Sequence, residues 1–95
     1  MTDYYDREGN PITPSEFVVL LEDQEYKQVA ETTVDPYWIS TVWLGLDHNF
    51  GDGEPLIFET MVFHKDKGWK GQDMARYPTE AEALEGHRQM VEHWR

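Results

Sequence analysis

The stretch that decides the fold is YWISTVWLGL, residues 37–46. β-Branched and aromatic side chains dominate it, which is typical of a β-strand. Successive side chains of a strand point to opposite sides. The two faces are therefore Ile39, Thr41, Trp43 and Gly45 on one side, and Trp38, Ser40, Val42, Leu44 and Leu46 on the other. Both faces are largely apolar, so the pattern predicts a strand in the centre of a sheet.

Further strands are predicted on both sides of this one. Residues 28–34 carry a similar pattern, and Asp35-Pro36 is predicted to form the turn that joins them to the central strand. Residues 56–63 are apolar on both faces, and residues 74–77 form a short last strand. The polar, glycine-bearing segment 64–71 is predicted to be a loop.

Two capping boxes mark the starts of helices. Thr13 with Glu16 opens a helix that should run to about Asp23, and Thr79 with Glu82 opens a second that should run to about Trp94. The side chains expected on their buried stripes are Phe17, Leu20 and Leu21 in the first, and Ala83, Leu84, His87, Met90, Val91 and Trp94 in the second.

These elements predict an α+β fold in one domain over residues 1–95. Its core is a three- to four-stranded antiparallel meander with both helices on one face, in the order (β)αβββ(β)α, in which the first optional strand is Tyr4-Tyr5. The other sheet face carries apolar side chains and needs a cover. A homodimer through that face, a binding partner, or the first residues folded across it would each supply one.

Charge is distributed unevenly along the chain. The net charge is −11; residues 1–59 hold thirteen acids and two bases, and residues 60–95 hold six of each. Such a field repels nucleic acid and anionic membranes and attracts basic surfaces. We therefore expect a basic protein partner and no direct contact with nucleic acid or membrane, although solubility alone would also explain the charge.

Several classes of site are not expected. The chain has no cysteine, which removes disulfides and thiolate metal sites, and no zinc-protease, P-loop or dinucleotide motif occurs. The segment 47–53 departs from the calcium-loop template because glycine occupies the fifth ligand position. No apolar run is long enough to cross a membrane. We expect no cofactor, no metal and a cytoplasmic protein.

Two groups of side chains could nevertheless take part in chemistry. Trp43 and Trp69, with the lysines nearest to Trp69, could line a pocket for a small molecule or nucleotide at a dimer interface. The candidate ligand contacts are Trp43, His48, Glu59, Lys65, Lys67, Trp69 and Lys70. Alternatively, Asp47, His48 and Glu59 could form a small enzyme site, although no template fits their spacing.

Glu59 and His87 each have a structural alternative. Glu59 lies between apolar residues on a strand, so it needs a donor such as Arg76 or a raised pKa. His87 belongs to the apolar stripe of the last helix, where a hydrogen-bonded core histidine is the commoner situation.

Several motifs resemble a group of small bacteriophage and prophage proteins without an assigned function. The motifs are WLGLDH at 43–48, LIFETMVF at 56–63, RY at 76–77, TEAEA at 79–83 and GH at 86–87. The resemblance spans most of the chain and implies an accessory phage product in a bacterial cytoplasm. It implies no catalytic residue.

The leading hypothesis is a non-enzymatic inhibitor that docks on a basic, nucleic-acid-binding host or defence protein, such as a CRISPR-type effector. By analogy with other small acidic phage proteins, its carboxylates would stand where the effector expects phosphates. The expected docking patch is Glu22, Asp23, Glu25, Glu31 and Asp35.

Overall fold

A computed structural model describes residues 3–47 and 53–95 and confirms the α+β fold. Four antiparallel strands form a meander in the order β1-β2-β3-β4. The elements are α1 (Pro14–Leu21), α2 (Gln24–Lys27), β1 (Gln28–Val34), β2 (Tyr37–Trp43), β3 (Phe58–His64), β4 (Lys70–Tyr77) and α3 (Glu80–Trp94), with one 3-10 turn at Lys65–Lys67.

The predicted caps start both long helices. The Thr13 hydroxyl accepts a hydrogen bond from the Glu16 backbone N–H, and the Glu16 carboxylate accepts one from the Thr13 backbone. At α3 the Thr79 hydroxyl accepts from the Glu82 backbone N–H at 3.1 Å. These bonds satisfy donors that a helix start leaves without partners.

The core lies between the sheet and α3. We call this side of the sheet the covered face. Its central rows pair Ile39 with Val62, Thr41 with Thr60 and Trp43 with Phe58. All six are 0 to 1% exposed. α3 crosses all four strands on this face.

The amino-terminal residues and α1 close one end of the covered face. The Phe17 ring lies 4.5 Å from the Tyr4 ring and 5.8 Å from the Trp43 ring, measured between centroids. Gly45 has φ of +76°, and a side chain there would meet the Phe17 and Trp43 rings at 2.6 Å. Only glycine fits this position without strain and without a clash.

The opposite side, the helix-free face, carries Trp38, Ser40 and Val42 from β2 and Glu59, Met61 and Phe63 from β3. α3, which contacts all four strands, lies on the other side of the sheet. The homodimer through this face stays a prediction.

Several element boundaries and buried positions differ from the sequence predictions. β4 begins at Lys70, so most of the predicted loop 64–71 is a tight turn and the start of a strand. Polar side chains are tolerated there because β4 is an edge strand. α1 ends at Leu21. Leu21 and Leu84 are 39% and 46% exposed, which contradicts their predicted burial, because each lies at the margin of its helix stripe.

Candidate functional site

The fold separates charge in space as well as along the chain. One end of the sheet contains the first residues of β1 and β3 and the last residues of β2 and β4. The amino-terminal residues and α1 lie at this same end. We call residues 3–27, 44–47 and 53–57 the acidic end. It holds nine carboxylates against Arg7 and Lys27, a net charge of −7. At the opposite end, which we call the lysine end, residues 34–37 and 64–70 hold Lys65, Lys67 and Lys70 against Asp35 and Asp66.

One of the two bases at the acidic end is already neutralised. The Arg7 guanidinium donates to the Glu80 carboxylate at 2.6 Å and to the Tyr26 carbonyl at 2.9 Å. This hydrogen bond lowers the pKa of Glu80 and raises the pKa of Arg7. The positive charge of Arg7 therefore neutralises the charge of Glu80. It reduces the negative field of the other nearby carboxylates only slightly.

Three of the five predicted docking residues lie together at the acidic end. Glu22, Asp23 and Glu25 are exposed at the junction between α1 and α2. The Asp23 carboxylate caps α2 by accepting from the Tyr26 backbone N–H at 3.1 Å. Beside them, the outer side of α1 exposes Val18 and Val19, which are 52% and 68% exposed. This surface combines apolar side chains with unneutralised carboxylates.

The other two predicted docking residues lie elsewhere. Glu31 is exposed in the middle of the edge strand β1, in register with Ser40 of the helix-free face. Asp35 lies in the β1–β2 turn and accepts from the Lys65 ammonium group at 3.0 Å. A strand rises about 3.3 Å per residue, so β1 carries Asp35 about 20 Å away from the α1–α2 junction. The five residues do not form one continuous patch.

The candidate enzyme residues Asp47 and Glu59 are hydrogen bonded to different partners. The Asp47 carboxylate accepts from the Leu56 backbone N–H at 3.1 Å. The Glu59 carboxylate, 15% exposed, accepts from the Arg76 guanidinium at 3.0 Å on the helix-free face. His48 lies outside the described residues. Within residues 3–47 and 53–95, no three histidine or carboxylate side chains are placed to share a metal ion.

His87 belongs to a buried chain of hydroxyl groups under α3. Its Nδ1 lies 2.7 Å from the Thr41 hydroxyl and its Nε2 lies 2.8 Å from the Thr32 hydroxyl. Thr41 in turn lies 2.5 Å from the Thr60 hydroxyl. Burial lowers the pKa of His87. The sequence signal for this network was the repeated threonine on the covered face.

The tryptophans lie on different faces of the sheet. Trp43 is 1% exposed on the covered face, and its indole N–H donates to the Tyr5 carbonyl at 2.9 Å. Trp69 is 54% exposed at the lysine end, where its ring packs edge-on against Trp38 of the helix-free face. Trp43 and Trp69 therefore do not line one pocket. The tryptophan that lies beside Trp69 is Trp38.

A hollow of about 260 Å³ lies where Trp38 and Trp69 meet, lined also by Thr33 and Lys65. Lys67 in the 3-10 turn and Lys70 at the start of β4 are also exposed at this end. Larger hollows of about 390 and 400 Å³ lie at the acidic end. The first contains the Arg7–Glu80 ion pair, and the second is lined mainly by exposed turn residues, so neither presents a free cation to a ligand.

Comparison with family models, with curated proteins and with solved structures finds no match to this chain. Among the described helices, none has the length and apolar character needed to cross a membrane.

Proposed function

We propose that this protein is a non-catalytic binding protein that docks its acidic end on a basic protein. The observation that carries the proposal is that one end of the molecule holds nine carboxylates and only two bases. A carboxylate excess of this size produces a local field that attracts cationic surfaces over the first 8–10 Å at physiological salt.

The apolar side of α1 supplies the apolar contact area that charged side chains alone do not provide. Val18 and Val19 lie between Glu16 and Glu22 along the chain and face solvent. Stable interfaces have a dry apolar centre with a polar rim, and rim charges set the association rate and the choice of partner. We therefore place the centre of the docking surface at Val18 and Val19, with Glu22, Asp23 and Glu25 on its rim.

The partner class we propose is a nucleic-acid-binding host or defence protein, such as a CRISPR-type effector. Proteins that bind nucleic acid present lysine and arginine arrays that neutralise phosphates. Carboxylates held at the end of a small rigid domain can occupy such an array and exclude its substrate. The resemblance to phage accessory proteins supports inhibition as the outcome, in a bacterial cytoplasm.

The proposal is tested with two variants of equal charge. E22Q/D23N/E25Q removes three charges from the rim while asparagine preserves the α2 cap. D66N/E85Q/E92Q removes three charges from outside the acidic end, where Glu85 and Glu92 pair with Arg88 and Arg95. Immobilised wild type and both variants are used to capture proteins from the bacterial host at 50 and 500 mM salt.

We expect the wild type and D66N/E85Q/E92Q to retain the same basic protein at 50 mM salt and to release it at 500 mM. E22Q/D23N/E25Q should retain at least about tenfold less, since close charge pairs at interfaces couple by about 1.5 kcal/mol or more. Equal loss in both variants, or retention that does not change with salt, would contradict docking through the acidic end.

A further inference from the structure

The hollow at the lysine end has an aromatic lining. The Trp38 ring stacks on Phe63 with centroids 5.4 Å apart and planes 28° apart. The Trp69 ring stands almost perpendicular to Trp38, with centroids 5.8 Å apart and planes at 89°. Phe63 packs against Trp38 from one side, and the two indoles form a corner.

The backbone holds Trp69 in a conformation that aromatic residues seldom adopt. Trp69 has φ of +61° and follows Gly68, which has φ of +67°. Positive φ is unfavourable for a bulky side chain, and such residues concentrate at binding sites. Here the unfavourable conformation presents an indole that stays 54% exposed. The turn therefore places the indole at the surface, on the opposite side from the covered face.

The charge at this corner is opposite in sign to that of the acidic end. Lys65 lines the hollow and is held by Asp35, which is itself 82% exposed. Lys67 lies in the 3-10 turn and Lys70 is the first residue of β4, and among the described residues neither contacts a carboxylate. The lysine end therefore offers two free ammonium groups and a third that an incoming anion can share with Asp35.

Distance protects this corner from the field of the acidic end. Seven-residue strands separate the two ends, and at about 3.3 Å per residue they span about 23 Å. The Debye length at physiological salt is about 8 Å. Screening over almost three Debye lengths leaves the local charges to set the potential at the hollow, and there three lysines exceed Asp35 and Asp66 by one charge, despite the net charge of −11.

We infer that this corner binds an aromatic base that carries a phosphate. The base stacks on the exposed indole of Trp69 with Trp38 as the second wall, and the phosphate is held by Lys65 together with Lys67 or Lys70. Aromatic stacking combined with cationic contact is the usual way of binding unpaired nucleotides. A free nucleotide and an unpaired nucleotide of a single strand share this chemistry. The site lies at the opposite end from the proposed docking surface and does not depend on it.

The first test uses the wild-type protein and its indole N–H signals in NMR spectra. The probes are AMP, UMP, the nucleosides adenosine and uridine, and a six-residue oligothymidylate, each at 50 mM salt. We expect the nucleotide probes to shift the signals of Trp38 and Trp69 and to leave those of Trp43 and Trp94 in place. Binding by AMP or UMP identifies a free nucleotide as sufficient, and binding by the oligothymidylate alone identifies a strand.

The second test uses W69G and the charge variants K67Q/K70Q and K27Q/R88Q. Glycine accepts positive φ, so W69G removes the indole while keeping the turn, and a thermal melt verifies the fold. We expect W69G to weaken binding about tenfold or more, which is the effect of losing one base-stacking contact. K67Q/K70Q should weaken binding and reduce its salt dependence, whereas K27Q/R88Q, with the same charge change elsewhere, should bind as wild type does.

The inference is overturned if none of the probes at 5 mM shifts the Trp69 signal, or if the shifts centre on other indoles. It is also overturned if nucleosides bind as tightly as nucleotides, since the lysines would then have no role, or if folded W69G binds as tightly as the wild type.

Discussion

The two faces of the sheet are built from the same strands and are similarly apolar in sequence. Only the covered face, however, is buried by other parts of the chain. On the covered face Trp43 is 1% exposed, and the polar side chains of Thr41, Thr60 and His87 are hydrogen bonded to one another or to neighbours. On the helix-free face Trp38 packs against Phe63 and Trp69, and part of each ring remains in solvent.

This difference separates stability from binding. The covered face uses α3, α1 and the amino-terminal residues to bury its side chains, so little of it remains for a ligand or partner. The surfaces that the fold does not need are the exposed side chains of the acidic end, such as Val18, Val19 and Glu22, and the helix-free face with its lysine end. Substitutions on the covered face should therefore reduce stability, and substitutions on the other surfaces should reduce binding.

The largest expected contrast is between Trp43 and Trp38. W43A removes a fully buried indole and leaves a cavity, so we expect the free energy of unfolding to fall by about 3–5 kcal/mol. W38A removes a partly exposed ring and should cost about 1–2 kcal/mol, because less apolar area is lost from the interior. Urea denaturation followed by circular dichroism measures both. Equal losses would mean that the helix-free face is as important to the core as the covered face.

Two glycines give the next contrast. The Tyr77 ring packs directly over Gly86 of α3 and occupies the place that a methyl group would take. G86A should therefore destabilise by about 1–3 kcal/mol through overpacking, despite the better helix propensity of alanine. G71A on β4 would meet only the flexible end of Met61 at 3.2 Å and should change stability by about 0.5 kcal/mol or less. Thermal melts of the two variants compare them directly, and a stabilised G86A would show that α3 is not fixed against the sheet.

The smallest expected effect concerns pH and His87. Burial lowers the pKa of His87, so the unfolded chain binds the proton more readily than the folded protein does. The stability provided by neutral His87 is present above the unfolded pKa of about 6.5 and is lost as the pH falls from there toward the lower folded pKa. The melting temperature of the wild type should therefore fall more between pH 7.5 and 5.5 than that of H87Q, which has no titrating ring.

H87Q also provides its own control for that measurement. All other ionisable side chains are the same in both proteins, so the difference between the two slopes belongs to His87. Parallel pH profiles would show that His87 does not contribute to the loss of stability at low pH.

Much of the fold follows from local patterns. The alternation in residues 28–34 and the capping boxes at Thr13 and Thr79 predicted β1 and both long helices closely, because these signals act over a few residues. The start of β4 was not predictable in the same way. Lys70 to Asp73 carry no apolar alternation, and they pair with β3 because the strand before them is already fixed.

The site was less accessible to prediction because it depends on which residues meet across the sheet. The excess of acids in the first part of the chain indicated an acidic surface, but the direction of β1 moves Asp35 away from Glu22. The alternation along β2 placed Trp43 and Trp38 on opposite faces. Only the position of the 64–70 turn shows that Trp69 meets Trp38 and not Trp43.

The most direct test of the proposed function is displacement of a captured partner by nucleic acid. A basic protein retained on the immobilised wild type is washed with duplex DNA at constant ionic strength, with free nucleotides as a control. If the acidic end occupies a phosphate-binding surface, DNA should release the partner at concentrations near its own affinity for that partner. Retention of the partner in saturating DNA would show that the carboxylates dock elsewhere.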